Sequence, residues 1–173
     1  APTLAKLRDP NSVIDVTAEQ ISWLASVTEV GRLIGPFVSP LLIDNVGRKI
    51  TLVLITVMYF MVWLSIDFAR SIYLLCLARG IFGLANGVND VVSGIYTTEN
   101  CSPNFRGIMG SMVQLTFFGA QFIELIIASY LSYEGTAITN TILAGCVFAT
   151  LYYGTETPYF LVMKGRREEA ERN

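Results

Sequence analysis

Three long stretches of this chain contain no charged side chain, at residues 50–66, 107–123 and 135–155. A mostly apolar helix of roughly 20 residues is long enough to cross the hydrocarbon core of a bilayer, which is about 30 Å thick. Extending each stretch to its next turn or charge cluster predicts membrane-spanning helices at about 50–67, 106–132 and 136–155.

Two further segments, at about 21–43 and 71–97, are apolar but are interrupted by single charges. Charged residues make up only 15% of the chain, whereas soluble domains carry about 25%. A water-soluble fold of this size would therefore have too few charged groups to cover its surface. The sequence predicts an all-α, multi-pass membrane protein with five transmembrane helices in residues 21–155.

The same composition argues against several kinds of site. The formal net charge is only −2, so the chain has no basic surface for a nucleic acid. It contains no histidine, which is the commonest metal ligand and general base. Its cysteines, Cys76, Cys101 and Cys146, have neither a disulfide framework nor a zinc spacing. We therefore expect no metal site, no cofactor, no nucleic-acid partner and no enzymatic activity.

Basic residues in the short connections predict which way the helices run, because cytoplasmic loops carry an excess of lysine and arginine. One side of the predicted membrane holds seven of them: Arg48, Lys49, Arg106, Lys164, Arg166, Arg167 and Arg172. The other side holds only Lys6, Arg8 and Arg70. We therefore expect residue 1 outside the cell and residue 173 in the cytoplasm. The glycosylation acceptor pattern at residues 100–102 would then stay unmodified.

Charged side chains also occur inside the predicted spans. They are Glu29, Arg32, Arg79, Asp90 and Glu124. Because a charge at the bilayer centre costs at least about 2.5–3.5 kcal/mol, each should face protein or a water-filled cavity. At 1.5 Å per residue, Glu29, Arg79 and Glu124 lie at a common depth, about 12 Å below the outer surface. We predict that Arg79 pairs with Glu124 or Glu29 in a buried layer.

One face of the segment 71–97 carries polar and small side chains at helical spacing: Arg79, Gly83, Asn86, Asp90, Ser93 and Thr97. Such a stripe can line a solute pathway, or it can let two helices pack closely and exchange hydrogen bonds. Gly31 and Gly35, like Gly83 and Gly87, have the spacing of a close helix contact.

A second face, on the segment 106–132, combines two glutamines with aromatic rings: Gln114, Phe117, Phe118 and Gln121. Amide groups offer paired donors and acceptors to hydroxyl groups, and an aromatic ring can pack against the C–H side of a sugar. Alternatively, the two glutamines hydrogen-bond to neighbouring helices. This face is a candidate site for a polyhydroxylated ligand.

Short elements in the connections have the order and spacing of a known family. Residues 44–49 (DNVGRK) resemble the D-x-x-G-R-[KR] signature between the second and third helices of major facilitator transporters, and residues 76–80 (CLARG) resemble the R-G element of sugar porters. Residues 99–107 (ENCSPNFRG) are similar to the E-x-x-P-x-x-x-R-G element after the fourth helix. Residues 156–158 (ETP) and 164–170 (KGRREEA) resemble the P-E-[ST]-P-R…G-R…E-A stretch after the sixth helix.

This resemblance to the sugar porters of the major facilitator superfamily covers nearly the whole chain. It implies that the five segments are helices two to six of a twelve-helix carrier, with residues 1–20 as an extracellular loop and residues 156–173 as the start of a cytoplasmic helical domain. The chain would then be a fragment, with helix one, the C-terminal half, the lipid bilayer and a sugar as its partners. The run ETPYFL is most similar to insect trehalose-transporter-like members.

The resemblance also implies roles for single residues. Gln114 corresponds to a fifth-helix glutamine that bonds sugar hydroxyls, and Phe117, Phe118 and Gln121 take neighbouring places in the cavity. A cytoplasmic charge network that latches the inner gate would contain Asp44, Arg48, Lys49, Glu99, Arg106, Glu156 and Arg166. The alternative for this network is a set of solvated surface pairs.

Several positions depart from the family pattern, among them Thr155, Pro40, Tyr159 and Arg32. Tyr159 stands where many members have an arginine, so the charge network would lack one cation. Arg32 stands where a small residue is usual, which puts the close approach of the family's first two helices in doubt. Arg79, in contrast, aligns with an arginine that partners an acid on helix one in proton-coupled relatives.

The resemblance implies transport of a sugar, a hexose or trehalose, by alternating access in the plasma membrane. Facilitative uniport is the expected mode, and proton symport is the alternative. A membrane sugar sensor, which keeps the carrier fold without transporting, is an alternative of a different class.

Overall fold

The computed structural model of this chain describes residues 17–67, 71–131, 133–153 and 157–163. Five long helices follow one another: α1 (Ala18–Val46), α2 (Arg48–Asp67), α3 (Ile72–Glu99), α4 (Arg106–Tyr130) and α5 (Tyr133–Tyr153). A 3₁₀ turn at Pro103–Phe105 precedes α4, and a short helix, α6, spans Pro158–Met163. The five helices predicted from the apolar segments are therefore confirmed.

The ends of α1 are set by single residues. At its start, the Thr17 hydroxyl accepts a hydrogen bond from the Gln20 backbone N–H (3.3 Å), and the Gln20 side chain accepts one from the Thr17 N–H (3.0 Å). This capping box satisfies two backbone donors that the first turn of a helix otherwise leaves unpaired. At its other end, Gly47 has a φ of 107°, which glycine adopts without strain, so the chain turns at once into α2.

Apolar length differs among the helices. Three segments of the described chain are long and apolar enough to cross a membrane: Arg48–Ile66, Ile72–Glu99 and Pro103–Tyr130. A shorter apolar segment in α5 covers Ile138–Leu151. In α1, Glu29 and Arg32 near the middle lower the apolar character of a helix that has sufficient length.

The helices α1 and α3 cross at glycines. A Cβ atom on Gly83 would overlap the carbonyl oxygen of Thr28, and one on Gly87 would overlap the carbonyl oxygen of Arg32. That Arg32 carbonyl lacks its usual helical donor because Pro36 has no N–H. The close helix contact predicted from the glycine spacing is therefore confirmed.

Two apolar clusters fill the interior between α1, α2 and α3. The first consists of Leu24, Val62, Ile66, Leu75 and Ala78. The second, nearer the turn at Gly47, consists of Ile43, Leu52, Ile55, Ala85, Val88 and Val92. α2 also packs against α5, whereas α4 touches its neighbours sparsely and buries only Ala128 among the residues described. Most of the α4 surface is therefore open.

Candidate functional site

An ion pair joins α1 to α3 next to an aromatic ring of α4. The Arg32 Nε and Nη2 atoms both donate to Asp90 Oδ2, at 3.0 and 2.8 Å. The guanidinium carbon of Arg32 lies 5.8 Å from the centroid of the Phe117 ring, within the range of a cation–π contact. The Arg32 and Asp90 side chains are 41% and 34% exposed, so the pair is open on one side.

These side chains lie near the middle of their helices. We define the charged end of the bundle as the start of α2, the end of α3 and the start of α4, where Arg48, Glu99 and Arg106 are found. At 1.5 Å per residue, Asp90 lies about 14 Å, Phe117 about 17 Å and Arg32 about 21 Å from this end. A charged pair at this depth must face water or other protein rather than lipid.

The predicted ligand-binding face of α4 lies beside this pair. Gln114 and Gln121 are exposed, at depths of about 12 Å and about 22 Å from the charged end, and Phe117 lies between them. The Phe117 and Phe118 rings meet edge to face, with centroids 5.6 Å apart. The alternative interpretation requires hydrogen bonds from these glutamines to neighbouring helices. Within the described chain, neither glutamine side chain forms one. Contact of these residues with a ligand stays a prediction.

Some side chains of the polar stripe on α3 are used in helix packing, and others are partly or fully exposed. Asn86 is used within the bundle, since its Oδ1 accepts from the Tyr59 hydroxyl (3.2 Å) and its Nδ2 donates to the Phe82 carbonyl (2.9 Å). The Thr97 hydroxyl bonds the Ser93 carbonyl of its own helix (2.8 Å). Close packing and internal hydrogen bonds therefore account for most of the stripe, and Asp90 is the member that opens toward the α4 face.

The pairing predicted for Arg79 is wrong for this conformation. Glu124 instead accepts a hydrogen bond from Asn140 Nδ2 (3.0 Å), and Glu29 is exposed. Arg79 is buried, and its Nε and Nη2 atoms have no hydrogen-bond partner among the described residues. Equal depth along parallel helices does not imply equal direction around them, so the three charges do not meet.

A second candidate region lies at the charged end. Arg48 Nε donates to both Glu99 carboxylate oxygens (3.2 and 3.1 Å), and Nη2 donates to Oε1 (3.0 Å). Its Nη1 reaches the Ile43 carbonyl (3.4 Å), and its guanidinium carbon lies 5.5 Å from the centroid of the Tyr159 ring in α6. Arg48 is only 5% exposed, which makes this a buried, bidentate ion pair.

The other members of the predicted charge network are less closely joined. Asp44 and Arg106 are exposed and form no ion pair within the described residues. Lys49 is half-buried beside Arg48 at the start of α2. Glu156 and Arg166 lie outside the described residues. The structure therefore brings together Arg48 and Glu99 of the predicted set and adds Tyr159 to them.

Sequence reasoning assigns no partner to Arg32 or Tyr159, yet Arg32 pairs with Asp90 and Tyr159 contacts Arg48. The pairing of Arg32 with Asp90 had a signal in the sequence, because the two residues carry opposite charges at mid-span on helices that run in the same direction. For the contact of Tyr159, the sequence has no local signal, because the attraction of the Tyr159 ring face for the Arg48 guanidinium depends on how α6 folds back onto α2.

Similarity to known proteins covers nearly the whole chain. The family model "Sugar (and other) transporter" matches residues 5–173. The facilitated glucose transporter member 8 of solute carrier family 2 from Mus musculus is 30% identical over 86% of this chain and 31% of that protein. The facilitated trehalose transporter Tret1 of Polypedilum vanderplanki is 27% identical over 99% of this chain and 34% of that protein. The chain thus spans about a third of the length of these curated relatives.

Solved structures show the same fold. The xylose transporter XylE from E. coli, in a partially occluded inward open conformation, matches with a TM-score of 0.83 at 18% identity, over 99% of this chain and 47% of that chain. A second match, with a TM-score of 0.84, is the structure of XylE, a proton:xylose symporter of the major facilitator superfamily, bound to 6-bromo-6-deoxy-D-glucose. At this identity the likeness shows the architecture, and the prediction of a multi-pass helical membrane fold is confirmed.

Proposed function

This chain belongs to the sugar transporter family, and on that premise we propose that the complete carrier moves a sugar across a membrane by alternating access. The names of its relatives include glucose and trehalose transporters, so a hexose or trehalose is the proposed substrate. We place the carrier in the plasma membrane, with residue 1 outside and residue 173 in the cytoplasm.

The observation that carries this proposal is the polar region at mid-depth between α1, α3 and α4. Phe117 contacts Arg32 and thereby fixes which face of α4 turns toward the ion pair. The same face carries Gln114 and Gln121, whose amides are exposed and without partners in the described chain. Neutral amides and an aromatic ring match the hydroxyls and the C–H surface of a sugar.

Further helices would complete the route. The chain covers about a third of its curated relatives, and we propose that helix one and a C-terminal half close the open sides of α4. Buried Arg79 supports this arrangement, because a buried guanidinium requires acceptors and its Nε and Nη2 atoms have none among the residues that the structure describes. The substrate would then be held between the two halves, near the middle of the membrane.

At the charged end, we propose that the Arg48–Glu99 pair holds one of the two transport conformations. Clustered charges at a helix-end interface favour one packing of the halves, and separating them releases the other. Residues 156–173, which include Glu156 and Arg166, would extend this network as the start of a cytoplasmic helical domain. Tyr159 supports the assignment because it links α6 to Arg48.

The test is uptake of radiolabelled glucose and trehalose by the complete carrier in lipid vesicles, with and without a pH gradient. For facilitative uniport, we expect saturable uptake at a rate that does not depend on the pH gradient. Stimulation by the gradient would favour proton symport. Saturable binding without uptake would favour a sugar sensor, and absence of both binding and uptake would reject glucose and trehalose as substrates.

A further inference from the structure

The Arg32–Asp90 ion pair has unused hydrogen-bonding capacity on its exposed side. Both donors that Arg32 uses, Nε and Nη2, go to the same carboxylate oxygen, Oδ2. Arg32 Nη1 and Asp90 Oδ1 therefore have no hydrogen-bond partner within the described chain. Since the two side chains are 41% and 34% exposed, the pair presents a donor and an acceptor side by side at mid-depth.

Holding α1 against α3 does not require this pair. The two backbones already touch one turn away, where a Cβ on Gly87 would meet the Arg32 carbonyl and a Cβ on Gly35 would lie 2.5 Å from the Gly87 Cα. A pair that served only as a clamp would gain from bidentate geometry, with both carboxylate oxygens in use, whereas this pair uses only Oδ2. Its openness points to a ligand.

Charge and geometry define the chemical class of that ligand. The pair has no net charge, so it favours neither an anion nor a cation at long range. An adjacent donor and acceptor match a vicinal diol, in which one hydroxyl donates to Asp90 Oδ1 and the next accepts from Arg32 Nη1. The Phe117 ring, whose centroid lies 5.8 Å from the guanidinium carbon, adds a cation–π contact that restrains the donor, and a donor restrained before binding loses less entropy.

We propose, on the premise that the complete carrier binds a sugar, that Arg32 and Asp90 contact a vicinal diol of that sugar and determine its specificity. This contact comes from α1 and α3 and is additional to the glutamines of α4. It makes the affinity depend on two adjacent hydroxyl groups of the solute. A neutral polyol with those hydroxyls binds, and its deoxy analogues bind more weakly.

The experiment measures binding of glucose and its set of monodeoxy analogues to the purified complete carrier and to two variants. In the natural protein, removing either of two adjacent hydroxyls lowers affinity by at least about tenfold, as expected for hydrogen bonds to charged groups. In the double variant Arg32→Met/Asp90→Leu, which leaves no unpaired charge, those two analogues bind as well as glucose does. The variant Glu124→Gln, which alters a polar pair between α4 and α5, keeps the natural profile.

Each outcome decides the matter. If the double variant binds glucose and still discriminates against both analogues, the ion pair is structural and sugar binding by the carrier stands. If the double variant does not fold, Asp90→Ala is used, which removes both acceptor oxygens, and the analogue that lacks the donating hydroxyl must lose its disadvantage; an unchanged ratio overturns the diol contact. If the natural protein binds no sugar, both this contact and the proposed function are rejected.

Discussion

Arg48 is a buried cation whose partners approach from three directions. Glu99 accepts from Nε and Nη2, the Ile43 carbonyl accepts from Nη1, and the Tyr159 ring lies over the guanidinium. Because only 5% of Arg48 is exposed, water has little access to its guanidinium and cannot readily take the place of a lost partner. A buried ion pair contributes little net stability over an apolar pair, but breaking it leaves one charge without compensation.

Removing the Glu99 carboxylate therefore tests the burial of Arg48 directly. We expect Glu99→Ala to lower the free energy of unfolding of the complete carrier by about 3–5 kcal/mol. Asp44→Ala is the control, because Asp44 is an exposed acid at the same end with no ion pair in the described chain, and its change should stay within about 0.5 kcal/mol. Chemical denaturation in mixed micelles measures both. Equal effects of the two substitutions would mean that Arg48 is not held by Glu99.

Gln114 tests the proposed binding face at the same scale. An amide–hydroxyl hydrogen bond contributes about 0.5–1.5 kcal/mol, so Gln114→Ala should weaken sugar binding by about 3- to 10-fold with normal expression. The control is Thr116→Val, on the same helix, because the Thr116 hydroxyl bonds its own backbone at Met112 (2.8 Å). Equilibrium binding to the purified carrier measures the change. Unchanged affinity in Gln114→Ala would remove this residue from the site.

At the scale of the helices, the crossing of α1 and α3 depends on the absence of side chains. Gly83 faces the Thr28 carbonyl oxygen so closely that a Cβ would overlap it. We expect Gly83→Ala to force the helices apart and to destabilise the carrier by about 1–3 kcal/mol, the usual cost of overpacking. Thermal and chemical unfolding of the complete carrier measure this cost.

Gly94 provides the matched control on the same helix. Apart from the backbone of its own helix, no atom of the described residues lies within 4 Å of the Cβ position at Gly94. Alanine is favoured over glycine inside a helix by about 0.5–1 kcal/mol. Gly94→Ala should therefore be neutral or stabilising. If Gly83→Ala behaved in the same way, the two helices would not be in the contact described.

The helices and this crossing could be predicted from the sequence, but the partners of the mid-span charges could not. Apolar stretches and loop charges are local signals, and the spacing of Gly83 and Gly87 is local too. The pairing of Arg32 with Asp90 depends on how two helices separated in the chain are rotated about their axes. Depth counting gives no rotation, which is why it wrongly pairs Arg79 with Glu124 or Glu29. The association of Arg48 with Glu99 was predictable only through the resemblance of the loops to a family.

For the molecule as a whole, the structure gathers cationic helix ends on one side. Arg48 and Lys49 begin α2, and Arg106 begins α4, beside the end of α3 at Glu99. An excess of lysine and arginine at one end favours the cytoplasmic side of a membrane. The orientation with residue 173 inside follows from this distribution and stays a prediction.

Glycosylation of Asn100 tests that orientation. Asn100 is exposed at the end of α3, and its side-chain amide donates to the Tyr96 carbonyl (2.8 Å). Because burial does not protect it, the acceptor pattern should be modified if this end faced the secretory lumen, and we expect no sugar on it in glycosylating cells. Val13→Thr supplies the positive control, since it creates an acceptor pattern at Asn11 in the segment placed outside. Mass spectrometry of intact glycopeptides should find the sugar on Asn11 and not on Asn100. A sugar on Asn100 would invert the topology and move the Arg48–Glu99 pair to the outer gate.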